Sequence, residues 1–433
     1  MTRKMKDSGI EWIGEIPEEW KIEPVFLHFW QRKAKNFQGR EKNLLSLSYG
    51  KVIEKDINKL GGLLPASYNT YNIVEPGDII IRPTDLQNDK KSLRTGLVKE
   101  HGIITSAYID LAPRNKQNVS FFHYMLHAYD IEKVFYNMGN GVRQGLNYEE
   151  LSKLRLVVPS SEEQKSISDF LDKKVSKINQ TSKTIQQEID ALEEYRKSLI
   201  TETVTKGLDK TVPMKDSGIE WIGEIPEEWN LVKGKYLFKL RTTKGNTKNV
   251  QLLSPTQNFG VIPQELYEKL TGMRPVKLKS DADLQQMRTI YKGDYCISLR
   301  SFQGGFEYSK YDGVVSPAYQ VFYPYKKINS TYYRYLFKDS SFIQKINSFT
   351  MSLRDGKNIA FSDFGNIDIP FPTFVEQNKI AKFLDKKLTI IDQIIRQKQQ
   401  QLNHLDKYKQ SIIYEYVTGK KQVPEKEGVK NAQ

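Results

Sequence analysis

The chain has 433 residues, 38% hydrophobic and 27% charged, and Lys plus Arg exceed Asp plus Glu by 66 − 52 = 14. That length predicts two or three domains rather than one core, and the absence of an apolar run of about 18 residues or an apolar N-terminal signal core argues against a membrane span or a secreted product. A single cysteine, Cys296, excludes an internal disulfide framework and suits a reducing, cytoplasmic setting, while the net charge of +14 points to a polyanion, most simply nucleic acid.

The first element is the segment MKDSGIEWIGEIPEEW at residues 5–20. Its apolar residues (Ile10, Trp12, Ile13, Ile16, Trp20) are too few for a core, and Pro17 forbids one continuous helix. Asp7, Glu11, Glu15, Glu18 and Glu19 make it a poor phosphate binder. It reads as the opening segment of a domain, anchored by its tryptophans, with an acidic face suited to a partner subunit. Short runs at 79–81, 102–111 and 154–158 predict strands, Gly61-Gly62 and Pro76-Gly77 predict breaks, and a helix is expected over 121–136. The first 158 residues therefore form a mixed α/β (α+β) globule.

A long helix follows over 159–206. Ser160-Ser-Glu-Glu163 fits a capping box. Leu171, Ile178, Ile185, Leu192 and Leu199 fall every seventh residue, and Gly207 sits where the helix should stop. Residues 207–213 read as a linker.

The opening sixteen residues then return unchanged at 214–229, displaced by 214 − 5 = 209. The echo continues. The stretch 102–108 is answered by 313–319, Arg143-Gln-Gly-Leu-Asn147 by Arg354-Asp-Gly-Lys-Asn358, and Glu163-Gln164 by Glu376-Gln377. A period this long means duplicated domains rather than a solenoid. The second globule spans 214–371 and the second helix 372–419, with a capping box at Thr373-Phe-Val-Glu376, heptad residues Leu384, Ile391, Leu405 and Ile412, and a stop at Gly419. Residues 420–433 read as a flexible tail. About forty residues per helix give a rod of roughly 60 Å. Ser182, Arg196, Lys398 and Lys409 interrupt the apolar seams.

Catalytic signatures are sparse. His123 and His127 stand at i and i+4, a spacing that can hold a metal, but without the glutamate or third ligand of a zinc site, so no metal is expected. Cys296 lies in an apolar run and reads as a packed small residue. The glycine-rich stretch 139–145 misses the dinucleotide fingerprint, and no phosphate-binding loop or amino-methyltransferase tetrapeptide occurs. Glu163-Gln-Lys165 resembles part of a nuclease site but lies in a helix cap. The chain reads as non-catalytic.

Recognition remains. Arg pairs with guanine, and Asn or Gln with adenine, while Lys and further Arg hold phosphates. Candidate DNA-binding residues are Arg82, Gln87, Asn88, Lys90, Lys91, Ser92, Arg94, Arg143, Gln144 and Asn147 in the first half. In the second they are Arg300, Ser301, Gln303, Arg354, Lys357 and Asn358. Their loops occupy equivalent places in the two halves but differ in sequence.

The doubled Ser-Gly-Ile-Glu-Trp-Ile-Gly-Glu-Ile-Pro-Glu-Glu-Trp segment, the stretches Ile-Arg-Pro-Thr-Asp-Leu and Ser-Leu-Arg-Ser-Phe-Gln-Gly, and the two Glu-Gln … Phe-Leu-Asp-Lys-Lys helix starts give the chain a resemblance to the specificity subunit of type I restriction–modification systems. The resemblance covers nearly the whole length. It implies two target-recognition domains separated by two long helices that pair as an antiparallel coiled coil, with pseudo-twofold symmetry. Each domain would read one half of a bipartite site in double-stranded DNA, and the helices would set the gap. Two methyltransferase subunits, using S-adenosylmethionine, and two restriction subunits, using ATP and Mg, would be the partners. No cofactor would belong to this chain. The rival readings are a coiled-coil scaffold that binds no nucleic acid and a self-contained DNA-modifying enzyme.

Overall fold

The computed structural model describes residues 3–56, 67–86, 89, 92–115, 117–138, 145–244, 250–273, 286–297, 306–349 and 359–424. The chain divides into two compact units, Met1–Ile185 with Gln400–Gln433, and Gln186–Gln399. Each unit thus holds one globule, the beginning or end of the first long helix (Ser161–Lys206) and the complementary part of the second (Phe374–Val417).

The first unit opens with a hairpin, Met5–Asp7 against Glu15–Pro17, and then a strand, Lys21–Pro24, pairs antiparallel with Arg155–Val158 just before the long helix. Between them lies an antiparallel sheet ordered Phe29–Gln31, Ile109–Pro113, Ile79–Ile81, Thr95–Leu97. A second sheet is ordered Lys51–Lys55, Leu44–Ser48, Gly102–Ile104, Asn72–Val74, with Leu44 and Ile103 in parallel pairing. Ile79–Ile81 is the strand expected there. The strand expected over 102–111 is instead two strands in different sheets, because the chain turns at Thr105 and Tyr108, whose amide donates back to the Thr105 carbonyl at 3.2 Å. The helix expected over 121–136 is Val119–Ile131, capped by Asn118, followed by a 3-10 turn at Val134–Asn137. Lys133, with φ +60° in the left-handed region, separates the two. The expected break at Gly61-Gly62 lies outside the described residues.

The second unit repeats this frame. Its hairpin is Met214–Asp216 against Glu224–Pro226, and Asn230–Lys233 pairs with Asp368–Phe371. The sheet Phe238–Leu240, Gln320–Pro324, Tyr295–Ile297, Phe306–Tyr308 has the same order and sense as its counterpart. A parallel bridge between Leu252 and Val314 stands where Leu44 meets Ile103.

The long helices run antiparallel to one another within each unit. In the first, Leu171 and Ile178 share a core with Ile412, Ile413 and Val417, and the Phe170 ring lies 4.6 Å from that of Tyr416. In the second, Ile200 and Val204 pack with Leu384, Leu388 and Ile391. Of the heptad residues, Leu171, Ile178, Leu384, Ile391 and Ile412 are buried, and Ile185, Leu192, Leu199 and Leu405 are half-buried. Two of the seam interruptions are interhelical ion pairs: Lys398 Nζ lies 2.7 Å from Glu188 Oε2, and Arg196 Nε lies 3.3 Å from Asp392 Oδ1.

The expected capping boxes are half made. Ser160 Oγ accepts from the Glu163 amide at 3.2 Å and Thr373 Oγ1 from the Glu376 amide at 3.3 Å. The glutamates do not reciprocate. Glu163 Oε2 accepts from Trp20 Nε1 at 2.9 Å, and Glu376 Oε2 from Trp229 Nε1 at 2.8 Å. The neighbouring glutamines are buried and donate to proline carbonyls, Gln164 to Pro159 at 3.0 Å and Gln377 to Pro372 at 2.8 Å. A buried indole N–H and a buried carbonyl each need a partner, and the Glu-Gln pair supplies both. The far helix ends close the same junctions. Gly419 has φ +73°, and a Cβ there would lie 2.4 Å from Pro17 Cδ; Gly207 has φ +77° and sits against Trp229.

Candidate nucleic-acid interface

In the first unit the chain leaves the sheet after Ile81 and returns at Thr95. The loop is closed at its base, where the Arg82 amide donates to the Arg94 carbonyl at 2.8 Å. Arg94 was a candidate base reader, and the structure corrects this. Its side chain is fully buried, and its guanidinium donates to Thr84 O at 2.6 Å, Asp85 O at 3.0 Å, Asp89 O at 2.6 Å and the Tyr136 hydroxyl at 3.1 Å. An arginine presents five donors in a rigid fork, so one buried side chain satisfies several inward-turned carbonyls. Arg94 therefore shapes the loop from within. Its amide donates to the buried Asp130 carboxylate, whose pKa burial pushes up to about 6.

Arg82 is partly exposed and its Nη1 lies 3.2 Å from Asp89 Oδ2, while the Ser92 amide donates to Asp89 Oδ1 at 2.9 Å. Asp89 thus ties both limbs together. Asn147 is also committed: its side chain caps the short helix Tyr148–Ser152, accepting from the Glu150 amide at 2.9 Å. The adjacent Leu146 amide donates to Pro83 O at 3.0 Å, which brings the 145–147 segment alongside the 82–94 loop. Gln87, Asn88, Lys90, Lys91, Arg143, Gln144, Arg300, Ser301, Gln303, Arg354, Lys357 and Asn358 lie outside the described residues.

Each unit also carries an arginine–aspartate fork that sequence reading missed. Arg32 Nε and Nη2 donate to Asp78 at 2.8 and 3.2 Å, and Arg241 Nε and Nη2 to Asp294 at 2.7 and 3.0 Å. Each aspartate also accepts from a backbone amide three residues earlier, Glu75 or Tyr291, at 2.9 Å. The available signal was the Gly-Asp pair in each half, with Gly77 at φ +98° and Gly293 at φ +97°. In the first unit a second buried carboxyl, Asp110, faces the fork. Burial pushes its pKa up to about 8, and the neighbouring Asp78 charge adds to this while Arg32 opposes it.

His123 and His127 are driven to low pKa by burial, to about 3 and about 4, and are therefore neutral packing residues at neutral pH. His127 Nδ1 lies 3.1 Å from Thr95 Oγ1. No group of three metal-binding side chains occurs among the described residues. Cys296 is buried with Leu253, Val261 and Val321, and burial holds its thiol well above the usual range. None of the helices among the described residues is long and apolar enough to cross a membrane.

Two exposed aromatics also escaped the sequence reading. Tyr49, 89% exposed, and Phe259, 47% exposed, stand at the tips of equivalent hairpins, each followed by glycine.

A frame built twice, with unlike loops on equivalent strands and helices joining both halves, defines a tandem recognition protein. The chain belongs to the type I restriction modification DNA specificity domain family, which matches residues 94–191 and 226–404. It is 24% identical, over 94% of its length and 95% of the other's, to a protein of Methanocaldococcus jannaschii assigned as the type I restriction enzyme MjaX specificity subunit. It is 25% identical to the type I restriction enzyme MjaVIII specificity subunit of the same organism, over 74% of each chain. A solved structure concerning complex assembly and conformational transition of the type I R-M system shares the fold, with a TM-score of 0.64 at 14% identity, covering 93% of this chain and 98% of that one. DNA recognition, not catalysis, is the function of this family.

Proposed function

We propose that the chain reads an asymmetric bipartite site in double-stranded DNA, one half with each globule, and that the paired helices set the unread gap. The observation that carries this is the repeated sheet order with unlike loops on equivalent strands: one frame twice supports two similar docking events, and divergent loops support two different half-sites. The identical opening segments support a second part of the reading. Asp7, Glu11, Glu15, Glu18 and Glu19, and their repeats Asp216, Glu220, Glu224, Glu227 and Glu228, are all exposed. Packing does not require identity at exposed positions, whereas two copies of one partner would. These partners are two methyltransferase subunits, joined by two restriction subunits where the host has them, in the cytoplasm. S-adenosylmethionine, ATP and Mg belong to those subunits.

The test is duplex binding by the chain assembled with its methyltransferase subunit, followed across a salt series. The reading predicts tight binding to a bipartite duplex with affinity falling steeply as salt rises, since phosphate contacts release counterions. Absent or salt-insensitive binding would favour a scaffold without nucleic acid.

A further inference from the structure

We infer that Tyr49 is a stacking contact to the DNA half-site read by the first globule, an inference that rests on the bipartite reading above. Ser48 pairs with Lys51, so Tyr49 and Gly50 form a two-residue hairpin turn. Both have positive φ, +46° and +76°. Such turns strongly prefer Asn-Gly, because asparagine tolerates the left-handed region and a bulky ring does not. The sequence nevertheless places tyrosine there and leaves it 89% exposed, with none of the observed ring contacts involving it. The backbone is strained and apolar surface is left in water, with no compensating contact among the described residues.

The tip is rigidly set beside the candidate reading loop. A Cβ on Gly50 would lie 3.0 Å from Leu93, next to Ser92 on the loop's returning limb, and 3.4 Å from His127. A Cβ on Gly96 would lie 2.5 Å from Leu47 and 3.0 Å from Val52, so both hairpin strands lie flush on the strand that ends the loop. The turn that carries the exposed ring therefore stands beside Leu93 on the loop's returning limb, with Lys51 exposed next to it in sequence. An aromatic face on a fixed tip at the edge of a base-reading loop suits stacking on an exposed base or wedging at a base step, which tolerates any base identity. Phe259-Gly260 retains the aromatic–glycine pair on the corresponding hairpin of the second unit, although the turns differ in length. That retention amid divergent loops fits a shared, sequence-independent contact.

The test uses the chain assembled with its methyltransferase subunit and a duplex carrying the motif methylated in the host. Tyr49→Asn removes the ring while improving the turn, so lost binding cannot be charged to misfolding. The expected result is an unchanged or raised melting temperature, unchanged assembly and a Kd weakened roughly 5- to 150-fold. Tyr49→Phe should bind within about twofold of wild type. 2-Aminopurine placed in turn along that half-site should report unstacking with wild type and lose it with Tyr49→Asn. Wild-type affinity in Tyr49→Asn overturns the inference, as does impaired methyltransferase assembly with intact DNA affinity, which would make the tip a protein contact. A wild-type complex that binds no duplex overturns the bipartite reading and this contact together.

Discussion

The indole N–H of Trp20 donates to Glu163 at 2.9 Å, and 209 residues later Trp229 makes the same bond to a glutamate, Glu376, at 2.8 Å. Both tryptophans are buried at the junction of an opening segment and the first turn of a long helix. The two junctions differ in the cation that meets the glutamate. Arg3 Nη1 lies 2.7 Å from Glu163 Oε1, whereas the corresponding position in the second half is Val212. Burial raises the pKa of Glu376; the Trp229 bond and the Lys379 charge oppose this, and the nearby Glu228 charge adds to it.

Removing the acceptor should therefore cost stability in both halves, whereas neutralising it should cost stability only in the first, where Arg3 pairs with it. Glu163→Ala and Glu376→Ala each strand a buried indole N–H, at about 1–3 kcal/mol. Glu163→Gln also loses the Arg3 pair and should destabilise, while Glu376→Gln keeps an acceptor and sheds a desolvated charge, leaving stability unchanged or raised. Calorimetric melting of the four variants checks this ordering.

The Asp110 carboxyl supplies a pH signature. Its folded pKa of about 8 lies above the ordinary carboxylate value. The folded state holds this proton more tightly than the unfolded state, so the group's contribution to stability is full at acid pH and is lost as pH rises toward about 8. Asp110→Asn, which retains a donor for Asp78, should melt close to wild type at pH 5 and above it at pH 9. An equal difference at both pH values would mean that Asp110 is ionised throughout.

Arg94 should behave as a loop organiser. Lysine cannot reproduce its several hydrogen bonds, so Arg94→Lys and Arg94→Ala should both increase proteolysis within residues 82–94. They should weaken recognition of one half-site and leave the other unchanged, as measured by competition with duplexes altered in either half.

Spacer length should follow the helices only if both are extended. Glu188 pairs with Lys398 and Arg196 with Asp392. Seven residues inserted after Leu192 alone would break that register, whereas a matching insertion after Ile395 preserves it. The double insertion should change the preferred gap without changing either half-site, and methylation mapping reads both outcomes.

The repeat, the two long helices and most heptad positions were legible because each rests on local pattern: identical letters, apolar spacing and terminal glycines. The failures arose where tertiary partners decide a side chain's role. Arg94 and Asn147 look like loop polar groups in sequence, yet one is turned inward by unsatisfied carbonyls and the other caps a helix. Glu163 fits a local capping box, but a tryptophan 143 residues away claims its carboxylate. Arg32 and Asp78 are 46 residues apart, and no spacing rule joins them before the sheet does.

The central claim is that two separate readers on one chain define one bipartite target. Single-molecule sequencing of methylated adenines in cells with and without this protein tests it most directly. The account predicts that one asymmetric motif with a fixed unread gap is methylated only when the protein is present. A continuous or palindromic motif, or an unchanged methylation pattern, would contradict it.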